Sequence, residues 1–112
     1  MATPINTFRT NTQVLSTSMV DPYIYQAPPI TSSIILMAQI SNVGDTVENV
    51  TAIHYDPLTS VTTELVKEFP VPPNDAVGIL TGKLILMLGQ QFNANASANA
   101  SLKLTLSLLE TR

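Results

Sequence analysis

The decamer "SLKLTLSLLE", residues 101–110, constrains this chain more than any other stretch. Leu102, Leu104, Leu106 and Leu108 alternate with Lys103, Thr105 and Ser107. A period of two puts every leucine on one side of an extended strand and every polar group on the other. In a helix the same leucines would scatter around the circumference. Leucine is not a favoured strand former, so the pattern overrides the propensity.

Alternation recurs upstream. In "SIILMAQIS", Ile34, Leu36, Ala38 and Ile40 share one face, and Ile35, Met37, Gln39 and Ser41 the other. Further strands are read at 22–27, 47–56, 60–69, 76–80, 83–88 and about 90–96. Between them stand "APP", "NVGD", "DPLTS", "PVPPND", "TG" and Gly89, whose fixed φ, tolerance of positive φ and side-chain-to-backbone turns mark reversals of direction. Short strands with turn signals every eight to twelve residues predict an all-β fold. The expectation is one antiparallel β-sandwich of about eight strands, jelly-roll-like or immunoglobulin-like. "QFNANASANAS" reads as strand, turn and strand in preference to an alanine helix. Residues 1–15 form an N-terminal arm or edge strand, and 16–112 the sandwich. The arm is polar with apolar anchors, including Ile5 and Phe8; it reads either as a docking strand or as a loose terminus.

At 112 residues the chain has the length of one domain, and it can bury one core without staples. With no cysteine, disulfides and thiolate chemistry are unavailable, which fits synthesis in a reducing cytosol. Five basic and eight acidic residues leave a net charge of -3, which argues against nucleic acid as a partner. Polarity comes instead from Thr, Ser, Asn and Gln, short neutral groups that let proteins meet without desolvating ions. No secretory layout opens the chain, and the apolar run "IILMAQI" is far short of a bilayer span, so no membrane partner is expected.

No candidate for chemistry is supported by a second group. His54, the sole histidine, has Asp56 two residues on along the same strand face, as an orienting carboxylate would be. No nucleophile or second acid accompanies them, and a half-solvated strand histidine is the plainer reading. A small hydrolase would have to run through His54. Asp45, Glu48 and Asp75 lack ligand spacing, so no metal is expected. Glu64, Lys67 and Glu68 lack the aromatic cleft of a glycosidase and read as a solvated strand. Each of the glycines stands alone, with no phosphate cradle among them. "NVT" at 49–51 and the two "NAS" triplets match the glycosylation pattern by chance in an Asn-, Ser- and Thr-rich chain. Tyr23, Tyr25 and Tyr55 are either an aromatic platform for a sugar or a partner, or packing at the edge of the core.

Lys83 begins "KLILML", in which Leu84, Leu86 and Leu88 share one face and Ile85 and Met87 the other. A strand apolar on both faces is central to its domain or covered by another subunit. Upstream, Pro70, Pro72 and Pro73 cannot donate to a ladder, so "FPVPPND" crosses between sheets.

The ordered set "LVK", "PVPPND", "LTGKLILMLGQQF" and a terminal alternating strand ending "SLLE" resembles a family of small structural proteins of tailed bacteriophages. "DPYIYQAPPITSSIILMAQISNVGDTVENVTAIHYD" is similar to that family's opening, and the likeness runs over about residues 20 to 110. Two places depart from the pattern: the double proline of "DPYIYQAPP", where a glycine turn is usual, and Gln90, where an acidic residue often follows the glycine. The resemblance implies a β-sandwich virion component, made in the host cytoplasm, present in many copies and without catalytic residues or cofactor. Its place would be capsid decoration first, with neck, tail or fibre as alternatives. Partners would be copies of itself in a symmetric homo-oligomer and the major capsid or neck and tail proteins. The residues expected to meet them are Ile5, Phe8, Tyr23, Tyr25, Ile85 and Met87, through interfaces of about 1,600 Å². A small carbohydrate-binding adsorption module is the reading from another class. Its groove would be lined by Tyr23, Tyr25, Tyr55 and "NANASANAS".

Overall fold

The computed structural model describes residues 6–28 and 32–111. Among these, nine strands follow one another: β1 (Asn6–Val14), β2 (Tyr25–Gln26), β3 (Ser32–Asn42), β4 (Glu48–Asp56), β5 (Val61–Val71), β6 (Asp75–Gly78), β7 (Leu84–Leu86), β8 (Gln91–Ala96) and β9 (Leu102–Thr111). They form two antiparallel sheets packed as a β-sandwich. The first sheet runs β1-β9-β3-β6, with β7 also on β3; the second runs β2-β8-β4-β5.

β6 and β7 share one margin of β3, β6 against Gln39–Asn42 and β7 against Ser33–Ile35. Counted as halves of one broken strand, they turn the two orders into 1-8-3-6 and 2-7-4-5. That is the double Greek key of a jelly roll. The break falls at Leu80–Lys83, where Gly82 interrupts the apolar run.

The leucines of β9 behave as their alternation demands: Leu102, Leu104, Leu106 and Leu108 are all buried. Against them the second sheet sets Phe92, Ala94, Ala96, Val50 and Ala52, with Leu15, Val71 and Ile79 also in the cluster. The small alanines on β4 and β8 leave room for leucines opposite. Asn42 is buried among these side chains with every polar atom used: its Nδ2 donates to the carbonyls of Thr46 (2.8 Å) and Val71 (2.9 Å), and its Oδ1 accepts the Gly44 amide (2.9 Å).

β3 departs from the expected parity. Ser33 and Ile35 point inward, and then Ala38, Ile40 and Asn42, while Leu36 and Met37 are both exposed. The register with β9 shifts between Ile35 and Met37, so a bulge adds one residue and exchanges the faces. Leu36 therefore does not share a face with Ala38 and Ile40.

β7 also differs. It lies at a sheet margin, not in the centre, and ends at Leu86, so Leu88 turns out to solvent instead of following Leu84 and Leu86. Gly89, at φ 76°, folds the chain back there, with the Gln90 amide donating to Met87 O (2.8 Å). The strand expected at 22–27 contracts to Tyr25–Gln26, between Pro22 and Pro28, which have no N–H for a ladder. Pro70 sits on edge strand β5, and the turn after Val71 carries the chain across to β6 in the other sheet, as the prolines require.

Candidate interaction surface

The bare side of the first sheet follows from the β9 alternation. Residues that oppose the buried leucines face outward, and the strand registers line them up in rows. Phe8 on β1 pairs with Leu109 on β9, Leu109 with Ile34 on β3, and Ile34 with Ile85 on β7. One apolar row thus crosses every strand at that level, ending in Phe8 and Ile85, which are 74% and 58% exposed. The next row is Thr10, Ser107 and Met37, then come Thr12, Thr105, Gln39 and Gly78. In the row after, Val14 stands by Lys103, the single charged side chain in these rows. The bulge adds Leu36 and Met37 beside a recess of about 350 Å³ that reaches Thr81 and Lys83.

Of the residues expected from sequence, Phe8 and Ile85 lie in the row, and Met87, 59% exposed, lies just past the end of β7. Leu109 and Ile34 complete the row and were not anticipated. The doubled leucine of "SLLE" is the only local signal, since row membership depends on the register of neighbouring strands. Ile5 lies outside the described residues. Tyr23 is half-buried in the segment before β2, and Tyr55 sits on β4 opposite Thr62 and Gln91.

Tyr25 is a correction. It is only 7% exposed and offers no surface platform. Its hydroxyl donates to Glu110 Oε2 (2.5 Å) and also bonds Ser33 Oγ (2.7 Å), while Arg9 Nε donates to Glu110 Oε1 (2.7 Å). The network ties β2 of one sheet to β3, β9 and β1 of the other. Burial, and then the hydrogen bond to the Glu110 carboxylate, push the Tyr25 hydroxyl up to about 12.

The asparagines of "NANASANAS" are likewise engaged. Asn93 is buried, donating from Nδ2 to Val20 O (2.7 Å) and accepting the Val20 amide on Oδ1 (3.2 Å). Asn95 donates to Thr17 O (3.2 Å), and Asn99 Oδ1 accepts the Thr17 amide (3.1 Å). They satisfy the backbone of the irregular segment leading to β2.

His54 and Asp56 do share a face, with Gln90 between them: His54 Nε2 and Gln90 Oε1 are 3.2 Å apart, and Gln90 Nε2 donates to Asp56 Oδ2 at 3.4 Å. Gln90 Oε1 also takes the Met87 amide (2.9 Å), so the group fastens the β7–β8 turn to β4. Glu64 and Lys67 form an exposed pair at 3.8 Å. Among the described residues no group of three or more His, Asp or Glu side chains is placed to hold a metal ion. Comparison with models of known protein families, with curated proteins and with solved structures gives no match.

Proposed function

We propose that this chain is a structural protein of a tailed-bacteriophage particle, a capsid decoration protein that works by repeated protein–protein contact and not by chemistry. The observation that carries the reading is the outer side of the first sheet: a Phe8–Leu109–Ile34–Ile85 row followed by rows of Thr, Ser and Gln with one lysine. Such a face sheds water without stripping ions, and an apolar patch rimmed by polar groups is the usual mark of an interaction site. The strand order supports the reading by analogy, since jelly rolls serve in viral shells as well as in lectins. The resemblance of "LVK", "PVPPND" and "LTGKLILMLGQQF" to phage structural proteins points the same way.

The test is binding to particles. Purified chain mixed with phage capsids, and separately with tails, is sedimented and the pellet quantified. Saturable co-sedimentation with capsids, lost in Phe8→Lys with Ile85→Lys, is the expected result. Binding to tails alone would move the protein to the neck or tail. Binding to neither would overturn the proposal. Glycan binding lost in Tyr23→Ala would replace it with the adsorption reading.

A further inference from the structure

Among the described residues, each sheet ends in a long strand bonded on one side only, β1 in the first and β5 in the second. Free edges template further pairing, and proteins ordinarily blunt them with charge, proline or bulges. β5 carries all of these devices. It bears Glu64, Lys67, Glu68 and Pro70, and its register with β4 shifts twice, between Val50 and Ala52 and again between Ala52 and Ile53. Glu68 adopts φ 50° at the first irregularity.

β1 has neither proline nor bulge. "NTFRTNTQV" pairs with β9 without a register shift from Asn6 to Val14 and contains no proline. Its one ionisable side chain, Arg9, is already held by Glu110. Backbone direction follows from the Leu15 amide, which donates to Leu102 O at 2.9 Å. In an antiparallel ladder the bonded pairs alternate, so Thr7, Arg9, Asn11 and Gln13 turn their N–H and C=O groups toward β9. Asn6, Phe8, Thr10, Thr12 and Val14 turn theirs outward. Only the Val14 carbonyl meets a group there, the Gln13 side-chain amide (3.1 Å); among the described residues no further backbone hydrogen bond outside the strand ladders reaches β1.

We infer that this edge is where two copies of the chain join, antiparallel about Thr10, so that two first sheets become one. The inference rests on the reading of the chain as an assembly protein and names its partner at the β1 edge. In this register Thr10 meets Thr10, and Phe8 meets Thr12 of the second copy. Every outward-turned N–H and C=O then finds its counterpart. Threonine pairs and aromatic–β-branched pairs are favourable cross-strand neighbours. Arg9 faces Asn11 of the second copy, so no like charges are opposed. The outer rows run on across the junction with Thr, Phe and Val, which leaves the proposed capsid-facing surface twice as wide, with Lys103 of each copy as the one charge in these rows.

The chain has no cysteine, so a single introduced thiol can join only its own counterpart. Bonded antiparallel pairs bring Cα atoms to about 5.5 Å, within disulfide range. Mild oxidation of Thr10→Cys is expected to convert most of the chain into a reducible species of twice the mass. Thr63→Cys on β5 is expected to stay single. In the cysteine-free chain, Thr12→Pro removes an N–H that the monomer does not use, and Thr10→Lys opposes two ammonium groups. Each is expected to halve the mass measured by sedimentation equilibrium while cooperative thermal unfolding persists. Unmodified chain that sediments as a monomer at high concentration, or equal cross-linking at Thr10→Cys and Thr63→Cys, would overturn the inference. A monomer that still binds capsids overturns the edge pairing and leaves the structural reading in place. A dimer that binds no part of a particle does the reverse.

Discussion

β8 and β9 are neighbours in sequence, each flanked by strands on both sides, yet their chemistry is opposite. β9 buries four leucines and turns Lys103, Thr105, Ser107 and Leu109 outward. β8 buries Phe92, Ala94 and Ala96 inward and then also buries Asn93 on its other side, under the segment that leads to β2. One strand is held almost wholly by removal of apolar area from water, the other by one phenylalanine and two alanines inside and amides outside. The first mechanism is directionless and its strength grows with side-chain volume. The second is directional and fixes where an irregular backbone lies.

The contrast makes β9 the costliest place to damage. Leu106→Ala leaves a cavity opposite the alanines of β4 and β8, which are too small to fill it. A loss of about 2–5 kcal/mol is expected from chemical denaturation, with an unchanged denaturant slope.

Tyr25 joins the two strands: its backbone pairs with Phe92 on β8 and its hydroxyl reaches Glu110 on β9. Tyr25→Phe keeps the ring and removes the bond to a carboxylate, for an expected loss of about 2–3 kcal/mol. The pH dependence supplies a second readout. The folded-state value, about 12, lies above the ordinary 10, so this residue's contribution is complete below pH 10 and is lost as pH rises toward 12. Over that window the unmodified protein should lose stability more steeply than Tyr25→Phe, as followed by thermal melts at stepped pH.

Asn93→Ala tests the amide side of the comparison. It strands the Val20 amide and carbonyl, which are half-buried and acquire water only in part. About 1–2 kcal/mol is the expected cost. The disturbance should be confined to residues 17–24, where new amide exchange would appear while β9 stays protected.

The same contrast explains what could be read in advance. β9 was legible because its two faces differ in chemistry; strand identity and inward residues follow from one pattern. β3 was legible as a strand but not in its facing, since Ile34, Ile35, Leu36 and Met37 are apolar at both parities and the bulge that decides between them is set by β9 and the break after β6. Of the candidate surface, Phe8, Ile85 and Met87 stood out as apolar residues without an inward role. Leu109 and Ile34 did not, because a row across strands is a property of register and no single segment encodes it. Tyr25 was misplaced for a related reason: its hydroxyl partners, Ser33 and Glu110, lie on strands of the other sheet. The asparagines of β8 fitted a binding groove as well as a strand because amides that serve a neighbouring backbone have the same composition as amides that serve a ligand.

The smallest effect is expected at Asn99, and it separates local from global order. Its Oδ1 accepts the Thr17 amide at 3.1 Å in an exposed setting, so water replaces it when the side chain is cut back. Asn99→Ala should therefore change global stability by no more than about 0.5 kcal/mol. Thr17 is a different matter, because its amide depends on that one acceptor while Asn95 holds the carbonyl of the same residue. Exchange at the Thr17 amide should accelerate by about tenfold, a local change of about 1.4 kcal/mol. Exchange at Leu104 and Leu106 should not change. If the β9 amides accelerated in step with Thr17, the segment before β2 and the leucine core would open as one unit, and the division of labour between β8 and β9 would not hold.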